Sequence, residues 1–220
     1  MNTDVARAAI LAQIRARQGR ADALHASEMA DVQADIDRHV RGPQPRLGDD
    51  LAAVFTAQAQ ALQTSVSRVP RLADVPQAVA AYLDEHALPR HGVAWQTLGQ
   101  LPWEQAGLML EWRPPRDEDE LGVTGCFCAV AETGSLLLAS SPATPASTHL
   151  LPETHVAIVP TARIVASLEH AYALLRQELG ELPRALSTVS GPSRTGDIEQ
   201  TIVLGAHGPY RVHVVLVDAV

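Results

Sequence analysis

Ser190-Gly191-Pro192-Ser193-Arg194-Thr195-Gly196-Asp197-Ile198-Glu199 is the stretch in which chemically capable side chains lie closest together. Glycine permits backbone angles closed to other residues, and proline stiffens the turn. Ser193 and Thr195 offer hydroxyls beside the positive end of an expected helix, and Arg194 adds a planar, permanently charged donor. Following a strand, such a turn can hold phosphate or carboxylate, because ligands of open α/β sheets collect beyond the carboxyl ends of strands. The same residues also suit any tight strand-to-helix turn, with Asp197 and Glu199 only favouring the helix start. Two carboxylates would moreover repel an anion unless Arg194 or another cation balances them.

Ala131-Glu132-Thr133-Gly134-Ser135 puts a carboxylate at the end of an apolar strand. Alternation predicts Glu132 on the face shared by Cys126 and Cys128. Burial there would raise its pKa and fit it for acid, base or nucleophile chemistry, whereas a glutamate beside a hairpin turn is ordinarily just solvated. His207, in Ala206-His207-Gly208-Pro209, stands between small residues in a loop before a strand, where its ring can reach a cleft; His155, in Leu151-Pro152-Glu153-Thr154-His155, is the other notable histidine, and both also fit structural roles. His213 interrupts a core strand and reads as a hydrogen-bonded structural residue. No His-Glu-x-x-His or paired Cys/His spacing occurs, so no metal site is expected. Cys126 and Cys128 are the only two cysteines. They cannot complete a four-cysteine iron-sulfur cluster and read as small, partly buried strand residues in a reducing compartment.

Composition narrows the function classes. All 17 basic residues are arginine, and the absence of lysine removes Schiff-base catalysis, pyridoxal-phosphate attachment and a Walker-type phosphate loop. A net charge of −8 argues against broad adsorption to nucleic acid or anionic membrane. No apolar run is long enough to cross a bilayer, and the first residues lack the apolar core of a secretory signal. A soluble, cytoplasmic protein is the expectation.

The elements that must position these residues follow from hydrophobic period. A first helix is expected over about Thr3 to Arg17. The polar stretch from Gly19 to Asp49, with Gly42-Pro43-Gln44-Pro45, completes an N-terminal arm and linker over 1–49. From 50 to 220 one α/β domain is expected. Leu51, Val54, Phe55 and Leu62 predict a helix from Asp50 to about Ser65. Ser67-Arg68-Val69 starts a short strand, and Asp74-Val75-Pro76-Gln77 resembles a helix start with an Asp cap and a capping-box glutamine. Short strands near Val93–Gln96 and Leu108–Trp112 continue the alternation. Cys126–Ala131 and Ser135–Ser140 form a hairpin around Thr133-Gly134, and His155–Pro160 is a further strand. Ala162–Leu179 reads as a long helix, Leu186–Val189 as a strand, Asp197–Leu204 as a helix, and Tyr210–Val217 as a central strand of a covered sheet. The fold class is α/β, an open, mostly parallel sheet flanked by helices.

In order along the chain, Gly122-Val123-Thr124-Gly125, Ala131-Glu132-Thr133-Gly134, Leu150-Leu151-Pro152-Glu153-Thr154-His155, Gly191 to Glu199 and Gly205-Ala206-His207-Gly208-Pro209 resemble the motifs of the LUD-domain family. The G-P-S-R-T-x-D-I-E and G-x-H-G-P pair is highly specific. Gly196 and Ala206 stand where the family often has alanine and valine, both small-residue changes. The resemblance covers roughly Asp50 to the C-terminus. It implies a fold similar to the sugar-phosphate isomerase and CoA-transferase superfamily. It also implies a role in L-lactate utilization beside an iron-sulfur protein and a cysteine-rich protein, which would carry the iron-sulfur clusters, with no cofactor bound by this chain. The ligand set consistent with this is Gly191, Ser193, Arg194, Thr195, Asp197, Glu199, Thr133, Gly134, His155 and Gly208 around a small anion, with Glu132 and His207 as candidate catalytic groups. The E-T-G turn resembles the surroundings of the nucleophilic glutamate in CoA transferases, which leaves an independent acyl or CoA transferase as the alternative, and a regulatory ligand sensor as a third.

Overall fold

A computed structural model describes residues 3–19, 26–195 and 203–219. The chain divides into two units, Met1–Gln44 and Pro45–Val220. The first carries α1 (Thr3–Gln18) and α2 (Ala26–Asp37). The second helix falls in the stretch read from sequence as linker, where Met29, Val32 and Ile36 give a helical period that the surrounding polar residues mask.

In the second unit α3 (Leu51–Ala61) begins at Asp50, whose carboxylate accepts the Ala53 N–H at 3.0 Å. Phe55 and Ala59 of α3 are fully buried. Then follow β1 (Ser65–Arg71), α4 (Val75–Glu85), β2 (His91–Ala94), β3 (Met109–Glu111), β4 (Leu121–Thr124), β5 (Cys128–Val130), β6 (Ser135–Ala139), α5 (Ser147–Leu150), β7 (Thr154–Pro160), β8 (Ile164–Val165), α6 (Leu168–Leu179), β9 (Leu186–Val189), β10 (Arg194–Thr195), β11 (Val203–Leu204) and β12 (Arg211–Ala219). Six strands pair in the order β1-β12-β7-β4-β2-β3, all parallel. The β-branched run of β12 lies between β1 and β7, and Val212 to Val217 are buried without a break, as a strand covered on both faces requires.

Beside this sheet stands a second one, ordered β8-β5-β6-β9, built on the expected hairpin. Its strands alternate: Ala129, Ala131, Leu136 and Leu138 join the main core, while Cys128, Val130 and Leu137 pack with Ala171 and Leu175 of α6. Among the described residues, no helix is long and apolar enough to cross a membrane.

Local expectations gave way at four places. α6 starts at Leu168 instead of Ala162, because β-branched Ile164 and Val165 pair with Ala129 and Val130 and the extended Ser167 intervenes. Asp74 makes no capping bond; its carboxylate takes Nε and Nη2 of Arg71 at 3.1 and 2.8 Å. Of the expected helix Asp197–Leu204, residues 197–202 lie outside the described residues, and Val203–Leu204 pair antiparallel with Arg194–Thr195. Cys126 precedes β5 and packs on the main core, whereas Cys128 faces α6, so the two thiols do not share a strand face.

Candidate functional site

The carboxyl end of α3 is where the late turns of the chain meet. The helix closes with Gln63 N–H on the Gln60 carbonyl and Thr64 N–H on the Ala59 carbonyl, the pattern that usually has glycine at the left-handed position. Here that position is Gln63, with φ +66°. Its side-chain oxygen accepts Nη2 of Arg194 at 2.8 Å, and the same nitrogen reaches the Leu62 carbonyl at 2.9 Å. Arg194 thus places positive charge at the negative end of the helix dipole, and among the described residues its Nε and Nη1 hydrogens have no acceptor.

Two glycines bring the other turns onto this helix end. Gly134 (φ +63°) lies so close to the backbone between Gln58 and Ala59 that a Cβ would overlap it, and Gly191 (φ +82°) lies equally close to the Leu62 carbonyl. Between them runs a chain of hydroxyls, Thr133 to Ser135 at 2.7 Å and Ser135 to Ser190 at 2.6 Å. Ser193 ties in the last motif: its N–H donates to the Pro209 carbonyl at 2.9 Å, its carbonyl accepts the Gly205 N–H at 2.9 Å, and its hydroxyl accepts the His207 N–H at 3.3 Å. Gly208 packs against the Ser193 side chain. Glu132 is half-buried in the same turn as Thr133, its N–H held by the Ala166 carbonyl at 3.0 Å.

Thr133, Gly134, Gly191, Ser193, Arg194 and Gly208 therefore converge, with Glu132, Thr195 and His207 adjoining them in sequence. Asp197 and Glu199 lie outside the described residues. His155 does not join them. It is fully buried, bonds Thr124 Oγ1 through Nε2 at 2.8 Å, and has its ring centroid 5.8 Å from that of His149. Burial first, and then His149, pushes its pKa down to about 3. Burial pushes both cysteine thiols up, Cys128 to about 11, and the Cys126 thiol donates to the Cys128 carbonyl at 2.8 Å. Neither is poised as a thiolate.

The site's position differs from the expectation in one respect. The Gly191–Thr195 turn does follow a strand end, but that strand belongs to the second sheet. The neighbours it meets are the amino ends of β1 and β12, which begin just after Gln63 and Pro209. A cleft of about 380 Å³ opens beside the last turn, lined by Glu153, Gly205, Gly208, Tyr210 and Arg211 among others. In it the Arg211 guanidinium lies 4.8 Å from the Tyr210 ring centroid and 4.0 Å from Glu153. Leu62, Gln63, Ser135, Ser190 and Arg211 were assigned no role from sequence. Only Ser135 and Ser190 carried a signal, as neighbours of the motifs.

Gln63→Gly separates the two roles of that residue. Relief of the left-handed backbone offsets the lost exposed hydrogen bond, so urea unfolding should stay within about 1 kcal/mol of the parent. Arg194 meanwhile loses its hold on the Gln63 side chain, and any ligand affinity that depends on its placement should fall.

A parallel six-stranded sheet with helices, extended by a small mixed sheet whose turns carry the motif residues, defines an α/β protein of the kind first expected. The LUD domain model matches residues 52–217, and the chain belongs to that family. It is 34% identical over 128 residues to Lactate utilization protein C of Bacillus licheniformis, covering 56% of this chain and 53% of that protein. It is 38% identical over 101 residues to the protein of the same name from Shouchella clausii, covering 45% and 44%. The matched part thus spans about half the length of these relatives. A DUF162 family protein from Deinococcus radiodurans shares the fold, with a TM-score of 0.59, 21% identity, and 79% of this chain and 100% of that chain covered.

Proposed function

We propose that this chain serves L-lactate utilization, the oxidation of L-lactate to pyruvate, as a ligand-binding or assembly subunit beside an iron-sulfur protein and a cysteine-rich protein. The observation that carries the reading is the convergence of the family motifs at the end of α3, where Nη2 of Arg194 is held by the Leu62 carbonyl and the Gln63 side chain. The names of the relatives supply the pathway. The ligand is a small carboxylate. Arg194 supplies the charge, Ser193 and Thr195 the hydroxyls, and Glu132 and His207 border the mouth. The chain itself binds no redox cofactor in this reading, and the clusters that carry electrons belong to the partners.

Deleting the gene should slow or abolish growth on L-lactate while leaving growth on pyruvate intact, and affinity capture of the full chain should recover an iron-sulfur protein. Growth on L-lactate at the parental rate, with no such protein recovered, would remove the reading.

A further inference from the structure

α5 sets two polar side chains into the interior, where they meet a third from β7. Thr148 and His149 of α5 are 0% and 1% exposed, and His155 of β7 is 0% exposed. Among the described residues, Thr148 Oγ1, both ring nitrogens of His149 and Nδ1 of His155 have no hydrogen-bond partner. The three side chains belong to one place in the fold. His155 lies beside Gly122 in the sheet, and a Cβ at Gly122 would overlap the Thr148 carbonyl, so α5 rests on the same pair of strands. The His149 and His155 ring centroids are 5.8 Å apart, a separation that one small bridging molecule can span. Native interiors leave few polar groups unpaired, because each loses its hydration and gains no bond. Four such atoms in one cluster point to a guest.

The donor count selects the chemistry of that guest. A neutral imidazole has one N–H and one bare nitrogen, so His149 offers one donor and one acceptor whichever tautomer it takes. Burial favours the neutral rings, lowering the His149 pKa to about 4 and that of His155 to about 3. Trp95, Thr124 and Thr148, which stand beside them, carry no charge. A bare cation would satisfy only acceptors and an anion only donors, and either would be an uncompensated charge in the interior. Water both donates and accepts, and is neutral.

We propose that Thr148, His149 and His155 form an internal hydration site that holds at least two resident waters, one of them bridging the two rings. The two nitrogens of His149 diverge on one ring, so a single water does not serve both. Nε2 of His155 is engaged with Thr124 Oγ1 at 2.8 Å, which leaves Nδ1 as the bridging atom. The consequence is positional. Leu151 and Glu153, between His149 and His155 in the chain, line the cleft of about 380 Å³, so the hydration site anchors both ends of that wall.

Two measurements on the full chain test this. A crystal structure at a resolution that shows ordered water should place a solvent oxygen within hydrogen-bond distance of both His149 and His155 Nδ1. Thr148→Val keeps the shape of the side chain and removes its hydroxyl, so urea unfolding should give an unfolding constant about three- to tenfold higher, because a water loses a partner. A hydroxyl bonded to nothing would give the opposite sign, since removing it relieves a buried unpaired group. Crystals with no solvent oxygen between the rings, or with a metal there by anomalous scattering, would overturn the proposal. An unfolding constant unchanged or lowered in Thr148→Val would overturn it equally.

Discussion

Gly134→Ala is expected to cost roughly 3–5 kcal/mol of folding stability, the range of a buried steric change without room to relax. Two effects combine. A left-handed backbone costs a non-glycine residue roughly 1–2 kcal/mol, and the added Cβ would overlap the α3 backbone between Gln58 and Ala59. The control is built into the chain. Gly180, with φ +69° and ψ −54°, lies outside the left-handed helical well and has nothing within 4 Å among the described residues, so Gly180→Ala should show a positive-φ backbone cost without any overlap. The difference between the two urea-unfolding free energies then measures how tightly the Glu132-Thr133-Gly134 turn seats on the helix. Equal losses would mean that the turn does not need that contact. Gly191→Ala, against the Leu62 carbonyl, should resemble Gly134→Ala.

The second large effect is acid lability. Burial pushes the pKa of His149 and His213 down to about 4 and that of His155 to about 3. Above pH 6.5 all three are neutral in both folded and unfolded chains, and stability does not depend on them. Below it the unfolded chain takes up protons that the folded chain refuses, so stability falls with pH until the folded values are reached. By pH 5 the loss is up to about 2 kcal/mol per histidine, out of a typical total of roughly 5–15 kcal/mol. His213 is stacked on Tyr82 with centroids 4.0 Å apart and bonded to Ser65 and Ser67 at 2.8 and 3.0 Å, so these contacts fit the neutral ring. Urea midpoints between pH 7 and pH 4 should therefore drop steeply. A flat profile from pH 7 to pH 5 would contradict the burial of these rings in neutral form.

Much of the scaffold was legible because its signals are local. The β-branched run of β12, the apolar period of α3 and the Thr133-Gly134 turn each state their structure within a few residues. What could not be read depends on distant partners. Ile164 and Val165 extend a helical stripe in sequence, yet pairing with β5 takes them into a strand. Asp74 offers a cap, but the arginine three residues earlier claims its carboxylate. The site follows the same rule. Its motif residues were visible as turns rich in glycine and hydroxyls, whereas their meeting place rests on Arg194 reaching across 132 residues to Leu62. Nothing in the type of Leu62 or Gln63 announces that contact. His155 sat beside recognisable motif residues, but its strand is central and covered on both faces, which puts its ring in the interior.

Calorimetric titration of small carboxylates, with L-lactate, pyruvate and oxalate as the probes, into the full chain and into Arg194→Ala is the most direct test of the site. Loss of one charge-assisted contact is worth about 1.5–3 kcal/mol, or roughly 10- to 100-fold in affinity. Binding by the parent chain that weakens by that factor in Arg194→Ala, and not in Arg116→Ala, whose side chain is exposed in the loop before β4, is the expected result. Equal affinities in the parent and Arg194→Ala, or no binding of any of the three by the parent, would contradict a carboxylate site built on Arg194.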